Sequence, residues 1–270
     1  MKRRDFLRNS FATAGALGLA ATSLSPSQAA DDLPKREFIE LRTYTVKDAG
    51  KRELLVKILD AALIPALNAQ GIKPIGVFVP LGNEAKYENN VFVVIPHKTM
   101  DSFLNLTAKL LADKTYMERA GAIFETDSKN AVYTACDSQL LQGFETCPVL
   151  EVPDFGPELG SDRVFEMRLY RSFNIERNAA KIHMFEHGGE LALFRELGLN
   201  PIFFGEAIFG KKIPNLTYMV GSKNAEELAK SWKNFGPNPK WHVIRDNPAY
   251  KDTATEIDRV VLKPSPGSQI

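Results

Sequence analysis

Two stretches of the chain alternate between apolar and polar residues, and a segment with helical periodicity follows each of them. The alternating stretches are residues 37–45 and 163–171. A period of two is typical of a β-strand with one buried face. The helical segments cover about 50–70 and 176–197. Each ends at a glycine with a proline three residues later, which predicts a helix end at that point.

The same order of elements occurs in both halves of the chain. Three sequence blocks match in order at a nearly constant offset of 125 to 127 residues. The blocks begin at Phe38 and Val164, at Gly71 and Gly198, and at Asn90 and Asn215. Matching at a fixed period predicts an internal repeat.

Each half therefore predicts the order β-α-β-β-α-β, which is that of a ferredoxin-like unit. The later strands are expected at 74–80, 90–96 and 131–135, or at 201–209, 215–221 and 257–262, with helices near 99–112 and 224–234. Such a unit covers only one face of its sheet with helices. The sequence predicts an α+β protein in which two units, 36–141 and 163–270, pair their bare faces as an intrachain dimeric α/β barrel. The Pro- and Gly-containing segment 142–162 is the predicted linker.

Residues 1–29 have the pattern of an export signal. Arg3 and Arg4 lie in a basic start, a mild apolar core covers 11–24, and small residues follow up to Ala30. These are the three parts of a signal peptide, and the paired arginines resemble a bacterial twin-arginine signal. We expect the precursor to bind the twin-arginine export machinery and the protein to be periplasmic or secreted.

Composition excludes several classes of protein. Apolar residues make up 44% of the chain and charged residues 25%, which is ordinary for a globular domain and not for a disordered or multi-span membrane protein. A net charge of +1 gives no basic surplus, so no nucleic acid partner is expected. Cys136 and Cys147 either form a disulfide in an oxidising compartment or remain separate thiols.

The first predicted strand of the second half carries a charged face. Glu166, Arg168 and Tyr170 share that face because side chains alternate along a strand, and the first half has the same pattern from Glu40. We expect the apolar face to meet the helices and the charged face to point between the two sheets or towards a mouth of that space. There the glutamate and arginine form a structural ion pair, or Arg168 binds a ligand carboxylate.

The helix predicted over 176–197 carries a polar stripe. Its members are His183, Glu186, His187 and Glu190, at i, i+3, i+4 and i+7. One interpretation is a pocket wall with His183 or His187 as acid or base. A second is a weak metal site on the two histidines, although a glycine pair after them should weaken the helix. The third is a solvated face.

Aromatic residues of the second half predict a core and part of a cavity. They are Phe165, Phe203, Phe204, Phe209, Tyr218, Trp232, Phe235 and Trp241. Most belong in the core, and the remainder can line a small-molecule site. Glu206 follows two of these rings. Pointing inward, it would have a raised pKa, and pointing outward it would be a solvated strand end.

Motifs across residues 163–270 resemble the NIPSNAP family. They are Glu166-x-Arg168-x-Tyr170, Lys181 to Gly189, Gly205-Glu206, Pro214 to Met219, Trp232-x-x-Phe235 and the tail from Leu262. Residues 36–141 are similar to a divergent second copy. The resemblance implies the dimeric α/β-barrel group, which holds cofactor-free monooxygenases, isomerases and haem-handling proteins. It implies no single activity.

We therefore expect an exported protein that binds a small, largely apolar ligand in a pocket of its second half. The candidate ligand-binding residues are Glu166, Arg168, Tyr170, Glu190, Glu206 and Tyr218. One alternative is a cofactor-independent monooxygenase or isomerase with His183 or His187 as base. Another is a protein-interaction module without a pocket. No cofactor is expected, and a homo-oligomer is compatible with the sequence.

Overall fold

The strands close into an antiparallel barrel with the helices outside it. A computed structural model describes residues 35–82, 85–155 and 162–270. The predicted signal, residues 1–29, lies outside the described residues. No helix within them combines the length and the apolar character that crossing a membrane requires.

Eight strands form the barrel. They are β1 (Phe38–Thr45), β2 (Gly76–Pro80), β3 (Asn90–His97), β4 (Ala135–Gly143), β5 (Val164–Arg171), β6 (Asn200–Phe209), β7 (Asn215–Ser222) and β8 (Glu256–Pro264). Their order around the barrel is β1-β3-β2-β8-β5-β7-β6-β4. β1 lies between β3 and β4, and β5 lies in the same way between β7 and β8. The two halves are joined by β2 with β8 and by β4 with β6.

The predicted mixed fold with a closed barrel is therefore present. One strand is misplaced in the prediction, because β4 begins at Ala135, where the sequence predicted that strand to end. The first three residues of β4, Ala135, Cys136 and Asp137, are exposed. Their strand conformation comes from pairing with β1 rather than from an apolar pattern.

The helices follow in chain order outside the barrel. They are α1 (Ala49–Ile58), α2 (Ile64–Ala69), α3 (Met100–Leu104), α4 (Leu106–Ala112), α5 (Lys114–Arg119), α6 (Gly121–Phe124), α7 (Ile175–Glu186), α8 (Glu190–Glu196), α9 (Ala225–Phe235) and α10 (Pro239–Arg245). A π-helical turn, Leu59–Leu63, joins α1 to α2, and a 3₁₀ turn covers Pro248–Tyr250. The sequence did not predict α5, α6 or α10, which are too short to show a helical period.

The helix predicted over 176–197 is two helices, α7 and α8. Gly189 has φ +94°, a backbone conformation that favours glycine. A Cβ on Gly188 would lie 2.6 Å from the carbonyl oxygen of Met184 and 2.8 Å from the hydroxyl of Tyr250. The two glycines therefore end the first helix and allow close contact with the 3₁₀ turn.

This break also overturns the predicted polar stripe. His183 and His187 are exposed on and just after α7, whereas Glu190 begins α8 and is buried. Glu186 accepts hydrogen bonds from the backbone N–H groups of the chain after β4. The prediction of one continuous face is wrong, because the chain turns between the last two of its residues.

The charged faces of β1 and β5 point towards the helices, which is the reverse of the prediction. Tyr44 packs in the helix-side core of the first half and Tyr170 in that of the second. The barrel interior contains the opposite faces, with Ile39, Leu41, Phe78, Phe92, Val94, Leu141, Phe165, Ile202, Phe203, Met219, Val260 and Leu262. The prediction that Arg168 faces between the sheets is therefore wrong. An eight-stranded barrel is filled by side chains from its strands, whereas a buried carboxylate requires hydrogen-bond donors, and Trp232 of α9 supplies one to Glu166.

The chain between β4 and β5 packs against the second half. The backbone N–H of Phe144 donates to the carbonyl of Phe204 at 2.9 Å, and that of Glu151 donates to Ile202 at 2.8 Å. Cys147 in this segment is buried and Cys136 is exposed, and both thiols are free. Of the two alternatives for the cysteines, the structure shows separate thiols. Burial raises the pKa of Cys147 to about 12.

Candidate functional site

A cleft of about 400 Å³ lies between the sheet and the helices of the second half, and we call it the second-half cleft. Its lining residues are Arg168, Tyr170, Lys181, Met184, Glu190, Trp232, Phe235, Trp241, Arg245, Tyr250, Asp252, Thr253, Ala254 and Ile257. The volume lies in the range of small-molecule sites, roughly 300–1,000 Å³. Both tryptophans of the chain line this cleft.

Arg168 is held flat against an indole ring at one wall of the cleft. Its guanidinium carbon lies 3.6 Å from the ring centre of Trp232. Arg168 Nε donates to Glu166 Oε1 at 2.7 Å, and the indole N–H of Trp232 donates to Glu166 Oε2. Burial lowers the pKa of Arg168, but Tyr218, Tyr170 and Glu166 together raise it above its ordinary value. Arg168 is therefore a fixed cation whose orientation is set from two sides.

Two tyrosine hydroxyls continue the hydrogen-bond chain from Arg168. Arg168 Nη1 donates to the hydroxyl of Tyr170 at 3.4 Å, and that hydroxyl lies 3.2 Å from the hydroxyl of Tyr218. Burial raises the pKa of Tyr218 well above its ordinary value. Tyr218 stacks on Phe204 with ring centres 4.6 Å apart. It supports Tyr170 from behind, and Tyr170 lines the cleft.

A buried ion pair lies beside these groups. Lys181 Nζ is 2.7 Å from Glu190 Oε2, and the two side chains are only 6% and 2% exposed. The ammonium also lies 4.4 Å from the ring centre of Phe185 and 5.2 Å from that of Tyr170. Burial raises the pKa of Glu190, and Lys181 and Arg168 oppose that shift. A buried pair is expensive in desolvation, and perturbed groups of this kind cluster at functional sites.

His183 and His187 do not line the cleft. Their rings are 5.1 Å apart and both are exposed. His183 Nδ1 lies 2.9 Å from the hydroxyl of Tyr250, which does line the cleft. His183 therefore reaches the cleft through that tyrosine. In the part of the chain that the structure describes, no group of three or more His, Cys, Asp or Glu residues is placed to hold a metal ion.

Glu206 takes the outward of its two predicted positions. It is exposed on β6 and accepts a hydrogen bond from Asn178 Nδ2 at 3.0 Å. Its carboxylate pairs with the side of α7 and is not among the residues that line the cleft.

Five of the predicted site residues meet in one place: Glu166, Arg168, Tyr170, Glu190 and Tyr218. Sequence reasoning did not assign Lys181 or Tyr250 to the site. The sequence does contain a signal for Lys181. It lies 126 residues after Leu55, at the equivalent position of the second half, and Leu55 is on the buried face of its helix. Tyr250 lies in a turn without periodicity, so no pattern points to it.

Comparison with known proteins identifies the fold. No family model matches the chain, and no curated protein matches its sequence. A monooxygenase-like protein from Lactobacillus acidophilus is 8% identical, with a TM-score of 0.57 over 86% of this chain and 95% of that one. A monooxygenase-like protein from Fusobacterium nucleatum is 9% identical, with a TM-score of 0.55 over 86% and 93%. A NIPSNAP-like domain protein from Burkholderia xenovorans is 18% identical over 39% of this chain and 87% of its own, with a TM-score of 0.35.

Proposed function

We propose that the protein binds a small, largely apolar molecule with one carboxylate or carbonyl oxygen in the second-half cleft. The observation that carries this proposal is Arg168, stacked on Trp232 and oriented by Glu166 at the wall of a cleft that Phe235 and Trp241 also line. An apolar cleft with few fixed polar groups is the usual form of a small-molecule site.

The chemistry of the walls divides the ligand into two parts. Trp232, Phe235 and Trp241 offer aromatic surface to an apolar body, because large rings bury much area. Arg168 and Tyr170 offer donors to an oxygen. Glu190 is already neutralised by Lys181, so it does not repel an anionic oxygen as a free carboxylate would.

Both tryptophans lie in the cleft, so tryptophan fluorescence tests the proposal directly. Cyclohexanecarboxylate is the probe ligand and cyclohexanemethanol is its uncharged analogue. We expect the carboxylate to change the emission and to bind more tightly than the alcohol. Arg168→Met should weaken carboxylate binding about tenfold or more, since a hydrogen bond to a charged group contributes about 1.5–3 kcal/mol.

Arg42→Met is the matched control. Arg42 occupies the equivalent position of β1 and pairs with Glu40 at 2.6 Å, so both variants leave a buried glutamate without its arginine. Equal loss of binding in the two variants, in proportion to their loss of stability, would reduce Arg168 to a structural ion pair. An unchanged emission with both ligands would remove the proposal.

A second candidate is an enzyme that moves a proton without a cofactor, as in an isomerase or a cofactor-independent oxygenase. The buried Glu190 favours it, because burial raises the pKa of that carboxyl and a raised pKa suits a general base. Glu190 replaces His183 and His187 in this role, since both histidines are exposed. The monooxygenase-like proteins of L. acidophilus and F. nucleatum share the barrel on which such chemistry would be built.

The enzyme candidate has its own test. 2-Tetralone is an apolar ketone with an acidic C–H, and NMR in heavy water follows exchange at that carbon. If Glu190 is the base, the wild-type protein accelerates exchange and Glu190→Gln abolishes it while the ketone still perturbs tryptophan emission. Exchange at the same rate in both proteins would exclude this role for Glu190.

We infer further that the two halves are ferredoxin-like units of a NIPSNAP-like internal repeat. The strand orders β4-β1-β3-β2 and β8-β5-β7-β6 support this, because each has its first and third strands at the centre. The matched sequence blocks support it independently. A crystal structure in which residues 36–141 and 163–264 failed to superpose as βαββαβ units would refute the repeat.

Export remains a proposal from the sequence of residues 1–29 alone. We expect the mature protein to begin near Ala30, and replacement of Arg3 and Arg4 by lysine to block export. Sequencing the terminus of the exported protein checks the first point. Undiminished export of the double variant would contradict the second.

A further inference from the structure

The barrel itself has a cavity at one end, and we call it the mouth cavity. Its volume is about 340 Å³. It opens between the loops that precede β3 and β7, at the end of the barrel where β1 and β5 terminate. The mouth cavity and the second-half cleft share no lining residue. They lie on opposite faces of β5, since Met167 and Leu169 line the mouth while Arg168 and Tyr170 line the cleft.

The floor of the mouth cavity is apolar and accessible. Leu41, Phe92 and Val260 are buried in the core that fills the barrel. Met167 and Leu169 point the same way, yet both remain partly exposed. The strands therefore do not fill the barrel at this end, and the space that remains has an apolar base.

One wall of the mouth cavity is a fixed polar network. Gln139 Nε2 donates to Asn215 Oδ1 and to Thr217 Oγ1, each at 3.1 Å. Thr217 is 1% exposed and Asn215 is fully buried. Buried polar groups satisfied in this way hold one conformation, so the cavity is preformed on that side.

Lysines from both halves surround the rim. Lys86 and Lys212 contact the two carboxylate oxygens of Asp258, and Lys211 Nζ lies 2.6 Å from Asp137 Oδ2. Lys212 also pairs with Glu256, which Arg171 shares. Among the residues that line the cavity, the cations Lys86, Lys211, Lys212 and Arg259 outnumber the carboxylates Asp137 and Asp258. Exposed ion pairs contribute only about 0–1 kcal/mol each, so the lysines can exchange partners with little loss.

We propose that the mouth cavity binds a medium-chain monocarboxylate, with its alkyl chain on Met167 and Leu169 and its carboxylate among the rim lysines. Asp258 already shows that two ammonium groups, one from each half, can share one carboxylate there. The apolar floor favours an alkyl chain, and the excess cation favours an anionic head. This site is separate from the ligand proposed for the second-half cleft.

Calorimetric titration with octanoate, butanoate and 1-octanol tests the proposal. Octanoate should bind most tightly, and affinity should fall by up to about fourfold for each methylene removed, which corresponds to about 0.8 kcal/mol. The double variant Lys86→Met/Lys212→Met should weaken octanoate binding about tenfold and leave octanol unchanged. Lys230→Met is the control, because that lysine is an exposed residue of α9 outside the cavity. Octanol binding as tightly as octanoate would overturn the proposal.

Filling the floor gives an independent test. Leu169→Phe should abolish binding of octanoate and octanol alike, and Met167→Phe serves as the second filling variant if the first does not fold by circular dichroism. Octanoate also belongs to the ligand class proposed for the second-half cleft, so the filling variants are made in the Arg168→Met background, where carboxylate binding at that cleft is weakened. Calorimetry rather than tryptophan emission follows the binding, because both indoles lie in the other cleft. Arg168→Met should still bind octanoate. Binding that survives both filling variants, is lost in Arg168→Met, or is absent from the wild-type protein would overturn the proposal.

Discussion

The two halves have the same charged face on their first strands but surround it differently. In the first half Glu40 pairs with Arg42, and it also contacts His97 Nε2 at 3.2 Å and the hydroxyl of Ser138 at 2.9 Å. In the second half the corresponding Glu166 is held by Arg168 and by the indole of Trp232. Glu40 is enclosed by polar side chains of its own strand and of the two neighbouring strands. Glu166 instead orients an arginine that stacks on an indole at the wall of a cleft.

The cores between the sheet and the helices also differ between the two halves. The first half packs mostly Leu, Ile, Val and Ala against its sheet, whereas the second half packs many aromatic rings. Alignment on the capping residues Asp48 and Asn174 places Leu55, which is fully buried, opposite Lys181. Branched aliphatic side chains fill space closely, while rigid rings around a buried ion pair leave a cleft. The same backbone arrangement therefore supports aliphatic packing around Leu55 or a cleft with a buried ion pair at Lys181, depending on a few positions.

Breaking the buried ion pair should have the largest effect on stability. Lys181→Met leaves the carboxylate of Glu190 buried without its partner, and loss of one partner of such a pair costs about 3–5 kcal/mol. We expect a decrease of that size in the free energy of unfolding by urea.

The double variant Lys181→Leu/Glu190→Leu makes this site resemble the first half. Replacing both partners by apolar groups should restore wild-type stability or exceed it by about 1–4 kcal/mol. A double variant as unstable as Lys181→Met would show that the aromatic packing, rather than the charge, sets the difference between the halves.

Acid should distinguish the two halves by opposite signs. Burial raises the pKa of Glu40, but His97, Arg42 and Ser138 outweigh it and lower the pKa from 4.5 to about 2. A group whose pKa is lowered by folding stabilises the folded protein at pH values above its unfolded pKa. This stabilisation is lost as the pH falls towards its folded pKa. This contribution is about 3 kcal/mol for a shift of about 2.5 pH units. Burial raises the pKa of Glu190. The ionised carboxylate therefore destabilises the fold above its unfolded pKa, and protonation in acid removes this cost.

Unfolding free energies between about pH 6 and pH 2 measure both signs. Glu40→Gln should reduce the loss of stability on acidification, because the variant has no Glu40 carboxylate whose stabilising contribution protonation could remove. Glu190→Gln should increase that loss, because the wild-type protein gains stability when buried Glu190 is protonated and the variant does not. Parallel pH profiles for the two variants would contradict the assignment.

Removing the indole should have an intermediate effect. Trp232→Phe takes one of two side-chain partners from Glu166, which costs about 1.5–3 kcal/mol for a hydrogen bond to a charged group. Ser138→Ala is the comparison in the first half, where Glu40 keeps Arg42 and His97. We expect the serine variant to lose less than the tryptophan variant in thermal unfolding, and the reverse order would contradict the difference drawn between the two sites.

The smallest effect is expected at the exposed histidine. His183→Ala removes the contact with the hydroxyl of Tyr250 but no buried group, so stability should stay within about 0.5 kcal/mol of wild type. Binding of cyclohexanecarboxylate should change less than in Arg168→Met. A larger loss of binding in His183→Ala would place that histidine in the site after all.

Several elements follow from the sequence by itself. Alternation predicted β1 and β5 to within about one residue at each end, and the matched blocks predicted the order of strands and helices in both halves. Alternation also placed Glu166, Arg168 and Tyr170 on one face, where the structure has them. These features are local, because strand and helix periods are set by neighbouring residues of the chain.

The tertiary structure decided which way that face points. Alternation defines two faces of a strand but does not say which one meets the helices. The choice depends on partners far along the chain, since Trp232 donates to Glu166 across 66 residues and Lys181 reaches Glu190 beyond a helix break. A buried charge is stable only where such partners converge. The cleft and the mouth cavity exist for the same reason: they are spaces left between elements that meet only in the folded protein.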